Sequence, residues 1–257
     1  MHDTIQRWLT ILYTESPLKA NTFDMHEYLK ERLTELVKKD LLSDGKTLTT
    51  LDEVAEHYAN GCDILDHVRK HAKDWFPKSH ELIGVEVPLD LDVAPGIRFK
   101  AFLDIVLYHK SAKTIYIYDL KTSKRGWWPA QKKDTKKTDQ LLLYKRYYSK
   151  VFGIPMDNVK VEFIILKRQL SENEFDRKHV VGFEPSHGAP SMKKAGERFD
   201  KFLSVFNDKG EPDTSKLIAT PSDSACRYCP FNNNVDLCPY SAHLPTSQRK
   251  LPIKKAL

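Results

Sequence analysis

The hydrophobic pattern changes period along the chain, and the change predicts the order of its elements. Residues 1–21 open with a short helix that loosens around Pro17. Thr22 starts a second helix, with Phe23, Tyr28, Leu29, Leu33 and Leu36 in helical spacing and Gly45 past its end. Thr50 and Glu53 form a capping box for a third, which carries the apolar stripe Leu51, Val54, Tyr58, Cys62, Leu65, Val68, Ala72 and Trp75. The period then falls to two. Leu82–Leu89, Phe99–Tyr108 and Thr114–Leu120 are rich in Ile, Val, Phe and Tyr and too short for helices, so they predict strands. A helix capped by Thr138 and stopped by Gly153 and Pro155 follows, then a strand over Lys160–Leu166 and a helix from Met192 to about Phe206. The polar, basic tail beyond Tyr240 is expected to be extended or partly disordered.

The two adjacent runs, Phe99–Tyr108 and Thr114–Leu120, carry the most informative chemistry. With a tight turn centred between Ser111 and Ala112, residues whose numbers sum to 223 pair across the hairpin, and Asp104 opposes Asp119. Opposed Cβ atoms stand roughly 4.5–5.5 Å apart, where like charges repel. Such a pair is costly to bury unless something positive neutralises it. Strand alternation puts Lys121 on the face of Asp119, so an ammonium joins the acids. Two carboxylates and a lysine suit a hard divalent cation with a water beside it. On the next helix Gln140 and Tyr144, four apart, share one face.

Asp104 in a strand, Asp119-Leu120-Lys121 as D-x-K and Gln140-x-x-x-Tyr144 as Q-x-x-x-Y follow one another on the elements just described. In order and spacing they resemble the RecB/Cas4-like branch of the PD-(D/E)XK nucleases, over about Leu51 to Arg168. The resemblance implies an α/β (α+β) fold with a restriction-endonuclease-like core, a central mixed sheet flanked by helices. Residues 49–206 would form that core, 1–48 a helical segment that packs on it or walls a channel, and 207–257 a cysteine-containing segment with a basic tail. It implies a Mg²⁺- or Mn²⁺-dependent deoxyribonuclease, an exonuclease acting on single-stranded or end-exposed DNA. Asp104, Asp119 and the Leu120 carbonyl would hold the metal, Lys121 would orient the attacking water, and Gln140 and Tyr144 would position the phosphate. A helix histidine often joins the metal in this family. His67 is the candidate, although Leu65 stands where the family's spacing from Gly61 would put the histidine; His67 and His71 as half-exposed helix residues is the other reading. Glu86, flanked by valines, is either a further metal ligand or an exposed strand residue. Non-catalytic retention of the fold, a structure-specific endonuclease and an RNA nuclease are the alternatives.

Composition narrows this only a little. The 257 residues carry 41 Lys+Arg against 35 Asp+Glu, a net charge of +6, which favours a polyanionic partner such as DNA. Lys132, Lys133, Lys136 and Lys137 cluster between the D-x-K strand and the Gln140 helix. Trp127 and Trp128, in a proline-bounded loop beside them, suggest base stacking by at least one of the pair. Arg168, at the end of the fourth strand, can meet a phosphate or be a solvated end charge. No apolar run approaches the ~20 residues of a membrane span, and no signal-peptide pattern opens the chain, so a cytoplasmic setting is expected, with a phage-encoded protein one option. With no G-x-x-x-x-G-K-[ST] element, any helicase or recombination protein would be a separate partner. Cys226, Cys229 and Cys238 form C-x2-C-x8-C, and Cys62 lies far upstream. Four thiolates suit a [4Fe–4S] cluster, as in Cas4- and AddB-type relatives. The alternatives are Zn²⁺, with an aspartate or His243 completing the site, or no metal, with Cys62 a core thiol inside the helix stripe.

Overall fold

The computed structural model describes residues 1–44, 49–170, 178–216, 222–227, 229–231, 234 and 238; Gly45, His243 and the tail beyond Tyr240 lie outside them. The elements run α1 (His2–Thr14), α2 (Pro17–Thr22), α3 (Met25–Asp44), α4 (Leu51–Lys70), α5 (Ala72–Trp75), β1 (His80–Ala94), β2 (Ile97–His109) and β3 (Thr114–Ser123). Then come α6 (Pro129–Lys132), α7 (Thr135–Phe152), a 3₁₀ turn (Met156–Asn158), β4 (Val159–Lys167), β5 (Val180–Phe183), α8 (Ala189–Leu203) and α9 (Asp223–Cys226). The strands form a single sheet ordered β1-β2-β3-β4-β5. β2 and β3 are antiparallel, β3 and β4 parallel, and β4 and β5 antiparallel. A parallel pair needs a crossover, and α7 supplies it.

Side-chain alternation gives the sheet two buried faces. Ile105, Leu107, Tyr118, Leu120, Ile164 and Leu166 pack against Ile5, Leu9, Leu29, Ile64 and Leu65 from α1, α3 and α4. Leu103, Val106, Ile117, Phe163 and Ile165 pack against Leu141, Tyr144, Tyr147 and Tyr148 of α7. β4 is buried on both sides, as a central strand flanked by helices must be.

Several boundaries differ from the sequence expectation, each for a local reason. Pro17 begins α2 rather than loosening the chain, because Ser16 caps it by accepting from the Lys19 N–H and a proline fits the first helical position. Asp24, not Thr22, receives the first N–H groups of α3, those of His26 and Glu27. The capping box of Thr50 and Glu53 is formed, but the helix it opens breaks at His71 into α4 and α5. Asp134 caps α7, so Thr138 lies inside the helix and turns its hydroxyl to the Asp134 carbonyl. Gly153 ends α7 in the left-handed conformation, φ 64°.

The chain divides into two compact bodies, one comprising Met1–Val93 and Ile97–Asp200, the other Ala94–Gly96 and Lys201–Leu257. In the second, Gly96 and Gly210 touch backbone to backbone at φ 68° and 76°; a Cβ on Gly96 would stand 2.5 Å from the Lys209 carbonyl oxygen. Only glycine fits such an approach.

Candidate active site

The β2–β3 ladder runs from His109↔Thr114 to Ile105↔Tyr118, every pair summing to 223, and Lys110–Lys113 close the turn through a 3.2 Å bond. Asp104 lies one step beyond the last pair. There the alternation of β2 slips, since Leu103 and Val106 face α7 while Ile105 and Leu107 face α1 and α4. The freed Asp104 carboxylate accepts the Leu120 N–H at 2.6 Å, so it caps the end of the ladder and sits against the D-x-K segment.

Asp119 is 2 % exposed and lies on the α7 side of β3, as its place between Tyr118 and Leu120 requires. Gln140 Nε2 donates to its Oδ1 at 3.3 Å and to the Tyr144 hydroxyl at 2.7 Å. Lys121 Nζ stands 2.6 Å from Asp119 Oδ2, an ion pair made by strand alternation. That oxygen is buried and has no well-aligned hydrogen bond, so it keeps a lone pair to give. Burial, then the charge of Asp119, lifts the Asp104 carboxyl from 3.8 to about 7. Asp119 is raised as well, chiefly by burial, with Lys121 opposing. Two acids held against their ionised forms, with one atom lacking an aligned partner, are a donor set that a hard divalent cation would satisfy.

The N-terminal helix, expected to serve only packing or a channel wall, contributes directly. Gln6 Nε2 donates to Glu86 Oε1 at 2.6 Å and to the Asp104 carbonyl at 3.1 Å. Glu86 adopts φ 49°, a break in β1 at the residue that Gln6 holds. Its charge bears on both aspartates. His2 Nδ1 lies 4.0 Å from Asp104 Oδ2. Burial, then the neighbouring N-terminal ammonium and Lys121, lowers its pKa to about 4, so near neutral pH it is an uncharged imidazole able to ligate. No sequence spacing links residues 2 and 6 to residue 104; the only signal was a helix placed before the core.

His67 is placed elsewhere. Its ring stacks on His71 at 4.4 Å and meets His179 edge-on at 5.9 Å, on the α4 side of the sheet, whereas Asp119 faces α7. His179 Nδ1 bonds the Lys167 carbonyl. Lys167 pairs with Ser123, four residues past Asp119, or about 13 Å along a strand. The tryptophan pair divides. Trp127 packs on Phe163 and Phe183 with Lys137 over its ring at 4.7 Å, whereas Trp128 is 66 % exposed. Lys132 lies over Phe183, and Lys133 and Lys136 are exposed on α6–α7. Arg168 continues the β3–β4 pairing through the Ser123 carbonyl and turns its guanidinium to His57 at 3.1 Å.

The cysteines form no disulfide. Cys62 sits in the first body on α4, where burial raises its thiol pKa against a hydrogen bond from Tyr58. The trio belongs to the second body, where a turn between Cys226 and Cys229 is closed by a 3.2 Å backbone bond. Among the described residues no three His, Cys, Asp or Glu side chains converge as a ready metal cage, so a cation at the acids would draw on the Leu120 carbonyl and water as well. No helix of the described residues is long and apolar enough to cross a membrane.

No curated protein matches this chain. A family model does, over residues 1–238, and it is that of the superfamily whose strand acids, lysine and fold are laid out above: the chain belongs to the PD-(D/E)XK nuclease superfamily.

Proposed function

We propose that this nuclease-superfamily chain is a Mg²⁺- or Mn²⁺-dependent deoxyribonuclease, an exonuclease acting on single-stranded or end-exposed DNA. The carrying observation is the contact of Asp104 with the Leu120 N–H, beside an Asp119 that is ion-paired to Lys121 and hydrogen-bonded to Gln140. Asp104, Asp119 and the Leu120 carbonyl would hold the cation, with Glu86 and His2 at its margin. When bound, such an ion acidifies a water and draws charge from a phosphate oxygen. Lys121, whose side chain is one-third exposed, can donate to that water and to the phosphate as negative charge builds. Gln140 fixes Asp119 and, with Tyr144, presents hydrogen-bonding groups to the scissile strand. Trp128 and the exposed lysines of α6–α7 would carry the DNA beyond the cut. For the cysteines we propose a [4Fe–4S] site drawing on the Cys226–Cys229 turn, with zinc the alternative. A brown, visibly absorbing protein after anaerobic preparation distinguishes the first from a colourless, zinc-loaded one.

Digestion of end-labelled single-stranded, duplex and circular DNA with Mn²⁺ tests the nuclease reading. Linear single strands should be degraded and circles spared. Lys121→Ala should lose about 10²-fold or more of the rate, the size of loss when one such donor is removed, and should still bind DNA. Unchanged cleavage by Lys121→Ala would overturn the site. Cutting of circles would overturn the exonuclease, and a preference for RNA would overturn the substrate.

A further inference from the structure

A cavity of about 660 Å³ opens on the α1–α5 side of the sheet, away from the acid pair. His80, on its wall, meets the rings of His109 and Tyr116 at 4.7 and 4.9 Å, which places it near the turn end of the β2–β3 hairpin. His109 is five residues along β2 from Asp104, about 17 Å of strand. The volume falls within the roughly 300–1,000 Å³ of sites that hold a small organic molecule.

The lining has two chemistries. Its wall is apolar and aromatic: Leu12, Leu82 and the rings of Tyr13 and His80, backed by the almost fully buried Trp8 and Phe76, which meet edge-on at 6.4 Å. Its rim is cationic: Arg69, Lys70, Lys73 and Lys78. The one carboxylate on the lining, Glu81, is bound to Lys110 at 3.1 Å and so offers the lysines little compensation. Lys70, Lys73 and Lys78 enter no ion pair among the described residues. Arg69 spends one amino group on the Phe23 carbonyl at 2.6 Å, and its Nε is buried without a partner.

We propose that this cavity binds a small organic anion of mononucleotide size, its ring against the aromatic wall and its phosphate on the Arg69–Lys78 rim. Four cations suit a dianionic phosphate better than a single carboxylate, and aromatic walls suit a flat base better than an alkyl chain. The proposal stands apart from the nuclease reading, because neither Asp104 nor Asp119 takes part.

Calorimetric titration of the intact chain in EDTA, which keeps the acid pair metal-free, tests it with dAMP, adenosine, inorganic phosphate and decanoate. The expected result is saturable binding of dAMP, with adenosine and phosphate each weaker by about tenfold or more, or ~1.4 kcal/mol. The triple variant Lys70→Ala/Lys73→Ala/Lys78→Ala should lose that advantage, and Leu12→Trp, which fills the cavity, should abolish binding while melting at a temperature close to the parent's. Unaltered dAMP binding in both variants would overturn the location. Tighter binding of decanoate or of adenosine would overturn the ligand class, and no binding of any probe would overturn the site.

Discussion

Burial and the charge of Asp119 hold the Asp104 carboxyl near 7 when an unfolded chain would leave it near 3.8, and that difference couples stability to pH. The sign is that of a raised acid. Between the two values the folded state binds the extra proton, so its advantage is complete below about pH 4 and is lost as pH rises through about 7. Asp104→Asn keeps an acceptor for the Leu120 N–H and removes the ionisation. In EDTA its stability relative to the parent should therefore climb across that window, reaching on the order of 2–4 kcal/mol above it, as read from urea melts at a series of pH values. A flat difference would mean that Asp104 is solvated. Single residues also show how far sequence reaches. The pairing register and the Asp119–Lys121 contact follow from a turn position and period-2 alternation, and both were legible. His2 and Gln6 were not, because nothing local joins Gln6 to a carbonyl 98 positions away. The Trp127–Trp128 pair was half legible. Composition marks two tryptophans in a loop, but which one enters the core depends on Phe163 and Phe183 meeting it there.

At the scale of elements, α7 links chemistry to framework. Asp134 starts it, Gln140 and Tyr144 look toward Asp119, and Asp139 holds Arg198 of α8 through two 2.6 Å bonds. Asp134→Ala removes the acceptor for the Lys136 N–H at the first turn. It should cost about 1 kcal/mol, seen as a lower melting temperature with unchanged metal affinity. A loss several times larger would mean that Asp134 does more than cap. Thr138 and Asp134 are both good caps by type, four residues apart, and only the fold of the preceding α6 decides between them. β5 escaped detection for a different reason. It is four residues long and closely packed by its neighbours: a Cβ on Gly182 would strike Glu162 and Trp75. Short edge strands are specified by their neighbours more than by their own composition.

For the whole molecule, the order of helices and strands was readable, but which helices cover which face was not. On one side that assignment rests on Ile5, Leu29 and Ile64, all distant in sequence from the strands they cover; on the other it rests on Leu141 and Tyr147 of the crossover helix. If the acid pair closes on a divalent ion only when the sheet is intact, Mn²⁺ at about a hundred times its dissociation constant should stabilise the fold by ~2.7 kcal/mol. Asp104→Asn/Asp119→Asn should melt at the same temperature with and without the ion, and a persisting shift would point to a different cation site.

The reach from Gln6 to Asp104 sets the order in which the acid cluster can form. During synthesis α1 is made before β1 and β2, and its Gln6 and His2 must wait for those strands to meet Glu86 and Asp104. A chain halted short of α7 therefore holds both aspartates but lacks the glutamine that fixes Asp119, so the acid cluster is completed only when that helix is made.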